Sequence, residues 1–338
     1  MAGNLSVTRE YARIFSIVAD EAEPILFDNV SSRTALLYRL KDMGAIIKVG
    51  GKPNLRFNIL KELPTAQGYT DLDTLTPVRG DPVTSCIYEW KQIAVPVQVS
   101  GRDMIQTPEG NEIDLIEMFL QSAEISMRDC IGGSTTGIFS DAAETELRKI
   151  TGLQNMLTSS TTTGTVGGLS RATLSTWRHQ SANVSSDFSA NGLARMRTLF
   201  RNCTRFDESP DTIVLTGATM DNLEANLSNV SAIATYATNF PLVGAAAGNE
   251  AMIDAGFPNF RYKGAITFAD DGCPANYGYF LNLAKYYRLI VREGRDAEIG
   301  DFIKSQSKDD LVTYVLWAGN AMMTNLGRNG VLLNGDTD

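Results

Sequence analysis

The residues best suited to bind or act on a small molecule are concentrated between positions 152 and 178. This segment begins apolar, passes through a cluster of Ser and Thr hydroxyls, turns at three glycines and ends with two arginines and a tryptophan. The candidate site residues are Gly164, Gly167, Gly168, Arg171, Trp177 and Arg178. Glycine permits positive φ angles and hydroxyls compete for backbone hydrogen bonds, so the composition predicts a loop. Such a loop is compatible with a phosphate cradle, an active-site loop or a contact between subunits.

The glycines of this loop do not match the known phosphate-binding patterns. The run Gly164-Thr-Val-Gly-Gly168 is not followed by Lys, as a Walker A loop requires. It also lacks the G-x-G-x-x-G spacing, and no clear strand precedes it. The sequence therefore disfavours a nucleotide or other cofactor at this loop.

Catalytic and metal-binding groups are sparse. His179 is the only histidine, and no G-x-S-x-G motif surrounds any serine, which disfavours a Ser-His-Asp enzyme. We expect His179 to be a surface or loop residue or an interface donor, whose usual pKa near ~6.5 would let it tune assembly with pH. The pairs Asp270-Asp271 and Asp309-Asp310 are expected to be solvated turn carboxylates. The sequence thus predicts no enzyme and no metal site.

Composition excludes several broad classes of protein. The chain has 338 residues, 43% hydrophobic and 20% charged, which is typical of one large or two ordinary globular domains. No stretch approaches the ~18 apolar residues of a membrane helix, and the N-terminus does not resemble a signal peptide. The four cysteines form no C-x-x-C motif, so we predict unpaired thiols in a reducing cytoplasm.

The net charge of -9 disfavours attraction of the whole chain to nucleic acid. A local basic face remains compatible with the sequence, because Arg197, Arg201 and Arg205 recur every four residues. This face is expected to be solvated or paired with carboxylates. Weak contact with enclosed nucleic acid is the alternative.

Hydrophobic periodicity predicts the elements that would hold these residues. Residues 1–45 are expected to form an extended arm with short helical pieces. Residues 46–100 are expected to form a projecting two-stranded excursion, with strands at 55–60 and 93–99 and an irregular tip at 61–82. Pro96 has no N–H, so the second strand is predicted to be an edge strand.

The remaining chain alternates helices and strands. Apolar residues at spacings of three and four predict a helix over 111–131, capped by Thr107 or Asn111. Further helices are predicted at 144–157, 188–201 and 220–227, and strands at 212–216, 265–269, 279–283, 287–291 and 312–317. The end of the chain, 317–333, is apolar and is expected to be docked rather than free.

This order of elements resembles that of the major capsid proteins of tailed bacteriophages. The most specific similarity is the segment Thr161-Thr-Thr-Gly-Thr-Val-Gly-Gly-Leu-Ser-Arg-Ala-Thr173, followed by Trp177-Arg178. It is similar to a loop that follows the long helix in many such proteins. The ending, Trp317-Ala-Gly-Asn320 through Arg328-Asn-Gly-Val331, is a second and weaker similarity.

The resemblance implies an α+β phage major capsid protein fold. Its expected parts are an N-terminal arm at 1–45, an extended two-stranded loop at 46–100, a peripheral domain with a long spine helix at 101–205 and 291–338, and an axial domain at 206–290. The glycines of the 152–178 segment then become candidates for subunit contacts, and Arg171, Trp177 and Arg178 become candidate anchors of the loop. Gly167→Val is expected to harm assembly more than folding of the monomer.

The resemblance also implies a function without catalysis or cofactors. Copies of the chain would form pentamers and hexamers of an icosahedral phage head that encloses double-stranded DNA, assembled in the bacterial host cytoplasm. A separate scaffolding protein, a portal and a decoration protein are the implied partners, with weak contact to packaged DNA and no membrane. Encapsulins share this fold, so a shell subunit of a cellular nanocompartment is the alternative. An enzyme whose Gly/Thr loop binds phosphate is a third possibility.

Overall fold

The computed structural model describes residues 34–61, 66, 68–71, 73–74, 81–102, 112–229, 259–304 and 308–337. Most of the predicted arm and of the 61–82 tip, and the candidate caps Thr107 and Asn111, lie outside these residues. The helices are α1 (Ala35–Asp42), α2 (Glu112–Gly132), α3 (Leu153–Met156), α4 (Phe188–Cys203) and α5 (Gly217–Asn229).

One mixed sheet carries the longest strand of the described chain. Its six described strands are β1 (Ile46–Val49), β4 (Lys91–Ser100), β12 (Tyr287–Arg292), β13 (Glu298–Ile299), β14 (Ile303–Lys304) and β15 (Asp310–Met323). Strands β12, β13 and β14 pair along one side of β15, and β4 pairs antiparallel along its other side from Lys91 to Ser100. Strand β1 pairs in parallel with β12. The long β15 therefore joins the strand at 91–100 to the three strands between 287 and 304.

A second mixed sheet has the strand order β7-β16-β11-β8-β10-β9. These strands are β7 (Gln180–Asn183), β8 (Thr212–Leu215), β9 (Asn259–Tyr262), β10 (Ala265–Ala269), β11 (Tyr277–Leu281) and β16 (Gly330–Leu333). The C-terminal β16 lies inside the sheet between β7 and β11, and Val331 and Leu332 are fully buried. The prediction that the apolar end of the chain is docked is confirmed.

Two smaller ribbons complete the described strands. Strand β2 (Leu55–Leu60) pairs antiparallel with β3 (Val83–Tyr88), and β5 (Thr165–Val166) pairs with β6 (Leu169–Ser170). The prediction that 55–60 and 93–99 form the two strands of one excursion was wrong, because 93–99 belongs to β4 in the first sheet. Within the described chain β4 pairs only with β15, so its predicted edge position, with Pro96 opposite Tyr314, is confirmed.

The predicted helix at 144–157 is mostly absent, because only α3 is helical there. Gly152, the N-cap of α3, packs against backbone, because a Cβ at this position would lie 1.7 Å from the carbonyl oxygen of Ser140. The helices predicted at 111–131 and 188–201 are confirmed as α2 and α4. Asp187 occupies the N-cap position of α4, but its side chain makes no capping hydrogen bond.

The hydrophobic core falls into two clusters. The larger one joins α1, α2 and the first sheet, and Leu120, Ala123 and Met127 turn one face of α2 inward. The smaller one packs α4 against the second sheet. No helix in the described part of the chain combines the length and the apolarity needed to cross a membrane.

Candidate functional site

The centre of the 152–178 segment is a two-residue hairpin turn. Gly167 and Gly168 join β5 to β6 with φ angles of 62° and 73°. Two consecutive positive φ angles are the signature of a type I′ turn, which glycine adopts without steric cost. The glycine pair is therefore required by the backbone of the hairpin itself.

Glu144 holds this turn. The backbone N–H of Gly168 donates to Glu144 Oε2 at 3.1 Å, and the N–H of Gly167 donates to Glu144 Oε1. Burial raises the pKa of Glu144 to about 6, and the two N–H donors and Lys91 oppose that rise. The sequence did not identify Glu144, because a single carboxylate 23 residues before the turn has no local pattern.

Gly167 also connects the hairpin to the β2–β3 ribbon. The N–H of Ile87 donates to the carbonyl oxygen of Gly167 at 3.0 Å. A Cβ at Gly167 would lie 1.7 Å from Cys86 Sγ, whereas one at Gly168 would meet no atom within 4 Å. Gly164 has a φ of 95°, and a Cβ added there would lie at an ordinary contact distance of 3.8 Å from Cζ of Arg171.

Arg171 is a fully buried arginine whose hydrogen bonds go to its own loop. Nη1 donates to Thr158 Oγ1 at 2.8 Å and to the Ser160 carbonyl at 3.3 Å, and Nη2 donates to the Asn155 carbonyl at 2.7 Å. Its Nε has no hydrogen-bond partner among the described residues. Burial lowers the pKa of this guanidinium. The three oxygens that accept its hydrogen bonds, from Thr158, Ser160 and Asn155, are all uncharged.

Trp177 and Arg178 close the segment. The buried indole of Trp177 donates from Nε1 to the Val166 carbonyl at 2.9 Å. The half-buried Arg178 donates from Nε to the Arg171 carbonyl at 2.9 Å. Both side chains thus bond backbone oxygens of the same segment. Whether they or the three glycines also contact another subunit stays a prediction.

His179 lies in the loop before β7, which is one of the expected alternatives, but the alternative of a surface position was wrong. His179 is 1% exposed, and its Nε2 lies 2.7 Å from the Thr158 carbonyl oxygen, which makes Nε2–H the donor. Burial, with a smaller contribution from the charge on Arg171, lowers the pKa of His179 to about 4. The imidazole is therefore neutral near pH 7, so a charge change of His179 around its ordinary pKa is not expected in the folded chain.

The four aspartates expected in solvated turns divide into two kinds. Asp270 and Asp310 are each 6% exposed, against expectation, and Asp270 Oδ2 accepts the N–H of Leu36 at 2.8 Å. Burial raises the pKa of Asp270. Asp271 and Asp309 are exposed as predicted. The described residues contain no cluster of His, Cys, Asp and Glu that would hold a metal ion.

The cysteines are unpaired, as predicted. Cys86 and Cys203 are buried, and burial raises the pKa of each thiol to about 12. A thiol that stays protonated is a poor nucleophile. These two residues are therefore packing residues.

The geometry of the segment suits a structural joint. The N–H groups of Gly167 and Gly168 already donate to Glu144, which occupies the donors that a phosphate cradle would need. Its other polar groups bond the loop to itself and to the ribbon. The segment fixes where the β2–β3 ribbon leaves the body of the protein.

Neither family models nor curated proteins give a match to this sequence. Solved structures do match. The capsid of cyanophage A-1(L) matches with a TM-score of 0.61 and 14% identity, over 88% of this chain and 93% of that chain. The capsid of the native GTA particle matches with a TM-score of 0.55 and 12% identity, over 87% of this chain and 89% of that chain. The capsid of Myoviridae phage XM1 matches with a TM-score of 0.51 and 10% identity, over 86% of this chain and 90% of that chain. The chain therefore has the α+β fold of phage capsid subunits.

Proposed function

We propose that this chain is a structural shell subunit of a tailed-phage head. Copies of it form pentamers and hexamers of an icosahedral capsid that encloses double-stranded DNA. One observation carries the proposal: the similarity to the cyanophage capsid subunit extends over 88% of this chain and 93% of the other, at a TM-score of 0.61. The similarity in fold thus extends over nearly the whole length of both chains.

The surface of the β2–β3 ribbon supports assembly. Leu60 and Val83 face each other across the ribbon and are 58% and 51% exposed, and Ile87 is 38% exposed. Apolar side chains clustered on a projecting ribbon favour burial against another chain. A neighbouring subunit would supply that burial.

The proposal includes the domain division expected from the sequence. Residues 1–45 act as the arm, the β2–β3 part of 46–100 as the extended loop, 101–205 with 291–338 as the peripheral domain, and 206–290 as the axial domain. Strands β1 and β4, at the two ends of 46–100, belong to the first sheet instead. Arg171, Trp177 and Arg178 anchor the joint between the spine helix and α4. Scaffolding, portal and decoration proteins are the proposed partners, and assembly takes place in the host cytoplasm without catalysis by this chain.

Electron microscopy of the purified protein tests the proposal. We expect capsomers or closed shells in negative stain, alone or after addition of the scaffolding protein. A strict monomer at high concentration, with and without scaffold, would contradict it. Particles isolated from cells distinguish the alternative: double-stranded DNA inside supports the phage head, and an enclosed host enzyme supports an encapsulin-like compartment.

A further inference from the structure

A cleft of about 640 Å³ opens beside the candidate site, and its lining is basic. Its walls are the end of β2, the 3-10 turn Ser175–Trp177, the residues just after α4 and the 3-10 turn Leu326–Arg328. The cations that line it are Lys61, Arg178, Arg205 and Arg328. Among the described lining residues there is no carboxylate. In a chain of net charge -9, this is a marked local reversal of charge.

Arg328 is the one cation of the lining that forms an ion pair with a described carboxylate. Glu208 lies outside the lining, and its Oε2 is 3.6 Å from Arg328 Nε. The same carboxylate pairs with Lys285 at 3.1 Å and accepts the hydroxyl of Tyr286 at 2.5 Å. No described carboxylate forms an ion pair with Lys61, Arg178 or Arg205. Lys61 and Arg205 are therefore available to an anion that enters the cleft, and Arg178 adds its positive charge although its Nε and Nη2 already donate to backbone carbonyls.

The walls of the cleft are held in place before any ligand arrives. Arg178 Nε and Nη2 donate to the carbonyls of Arg171 and Ala172, which fixes the plane of its guanidinium. Thr176 Oγ1 donates to the Lys61 carbonyl at 2.9 Å and so ties the ribbon to the 3-10 turn. Preorganised donors lose less conformational entropy when they bind.

The basic surface continues from the cleft along α4. Arg197 and Arg201 lie one turn apart on α4. Arg205 follows the end of the helix at Cys203, so the expected row of all three on one helix face was wrong, but all three side chains are exposed. Lys263 joins them from the β9–β10 turn. The pKa of Lys263 is lowered, chiefly by burial and further by the charges of Arg197 and Arg201. Lys263 therefore lies close enough to these two arginines to be repelled by them.

We infer that this cleft and the basic surface along α4 form a binding site for phosphate groups. Guanidinium groups bind phosphate oxygens through paired, charge-assisted hydrogen bonds, and the surrounding amides of Asn58, Gln180 and Asn202 add neutral donors. The phosphates belong either to the DNA backbone or to a free inorganic polyphosphate. The DNA source rests on the proposed function, because an enclosed genome would bring phosphates to the inner surface of a shell.

Binding measurements on the purified full-length chain test this inference. The probes are a short fluorescent DNA duplex, followed by anisotropy at several salt concentrations, and inorganic tripolyphosphate, followed by calorimetry. The double variant Lys61→Gln/Arg205→Gln removes the charges of the half-buried Lys61 and the exposed Arg205, whose side chains make no described hydrogen bond. The control Lys52→Gln/Arg292→Gln removes two exposed charges outside the cleft.

We expect the cleft variant to bind DNA about tenfold more weakly at low salt, with a salt dependence less steep by about two counterions. The control should bind like the unmodified chain. If free polyphosphate is the ligand, tripolyphosphate will bind the unmodified chain and the control, but the cleft variant much less. Equal binding of both probes by the cleft and control variants, or no saturable binding of either probe, overturns the inference. Microscopy of the same samples reports shell assembly separately, so a failure of the proposed function is distinguishable.

Discussion

At the scale of single residues, Gly167 and Gly168 share a left-handed backbone but differ in their surroundings. Gly168→Ala adds a Cβ that meets no atom, so it should cost only the ~1–2 kcal/mol of an L-residue in this conformation. Gly167→Ala adds the same strain and also a clash 1.7 Å from Cys86 Sγ. We expect it to lower the free energy of unfolding by about 2 kcal/mol more, as measured by urea denaturation of the unassembled chain.

The variant Gly167→Ala/Cys86→Ala serves as the control for that clash. It removes Sγ and leaves a Cβ–Cβ distance of 3.4 Å, so part of the lost stability should return. If Gly167→Ala and Gly168→Ala cost the same, the contact with the ribbon is not important. Because this contact lies within one chain, Gly167→Val should harm folding as well as assembly, unlike the expectation from sequence.

His179 gives the stability a pH dependence. Its pKa in the folded chain is about 4, below the ordinary 6.5, so the folded state disfavours the proton. The stability that this group contributes is complete above about pH 6.5 and is lost as the pH falls towards 4. His179→Asn should reduce the loss between pH 7 and 4.5 by about 2 kcal/mol, measured by urea unfolding at each pH. An unchanged pH profile in the variant would show that the imidazole is not buried in its neutral form.

Glu144 gives the stability a pH dependence of the opposite sign to that of His179. Its folded pKa of about 6 lies above the ordinary 4.5, so the folded state favours the proton. The stability from this group is present below about pH 4.5 and is lost as the pH rises through 6. Glu144→Gln keeps an acceptor oxygen for one of the two hairpin N–H groups and does not titrate. Subtracting its unfolding curve from that of the unmodified chain should show a decline of about 1–2 kcal/mol between pH 4.5 and 6.5, and a flat difference would contradict the assignment.

At the scale of elements, Asn320 links three parts of the chain from inside β15. Its Oδ1 accepts the N–H of Thr151 at 3.0 Å, and its Nδ2 donates to the Glu89 carbonyl at 2.8 Å. Asn320→Ala leaves the buried N–H of Thr151 without its partner and removes the donor to the Glu89 carbonyl, which should cost about 1–3 kcal/mol in chemical denaturation. Tyr314→Ala, at an exposed position of the same strand, should cost much less. Similar losses from both variants would mean that strand packing matters and the amide does not.

Local periodicity was enough to predict the elements that bury one regular face. Helices α2 and α4 and strands β8 and β10 were found this way, because their apolar spacing is set by their own backbone geometry. The pairing of β2 was missed. Strand β3 alternates weakly, and the choice between β3 and β4 depends on β15, which lies more than 200 residues further along the chain.

The candidate site shows the same limit. The sequence indicated the glycines, because a positive φ favours one residue type. It did not indicate Glu144, the burial of His179 or the basic cleft. Each of these depends on groups brought together by the fold from distant positions. A carboxylate or an imidazole carries no local sign of whether it will be buried.

At the scale of the whole molecule, the β2–β3 ribbon combines a packed face with an exposed apolar face. Phe57 stacks on Tyr88 with ring centroids 5.9 Å apart, and the hydroxyl of Tyr88 donates to the Met323 carbonyl at 3.1 Å. This face attaches the ribbon to the body. Leu60 and Val83 on the ribbon contribute little to the stability of one chain, because they stay more than half exposed. Any larger contribution of Leu60 and Val83 to stability requires contact with another molecule.

Replacing this exposed pair therefore separates folding from assembly. Leu60→Ser/Val83→Ser should change the free energy of unfolding of the unassembled chain by less than about 0.5 kcal/mol, since neither side chain is buried there. Shell formation should weaken strongly, because each subunit contact would lose about 25 cal/mol for every Å² of apolar surface it buries, and the loss is repeated at every contact of the shell. Leu147→Ser, at a leucine that is 59% exposed outside the ribbon, is the matched control and should assemble normally. Sedimentation and negative-stain microscopy across a concentration series measure assembly, and shells of the double variant at the concentration that suffices for the unmodified chain would exclude the ribbon pair from the subunit contact.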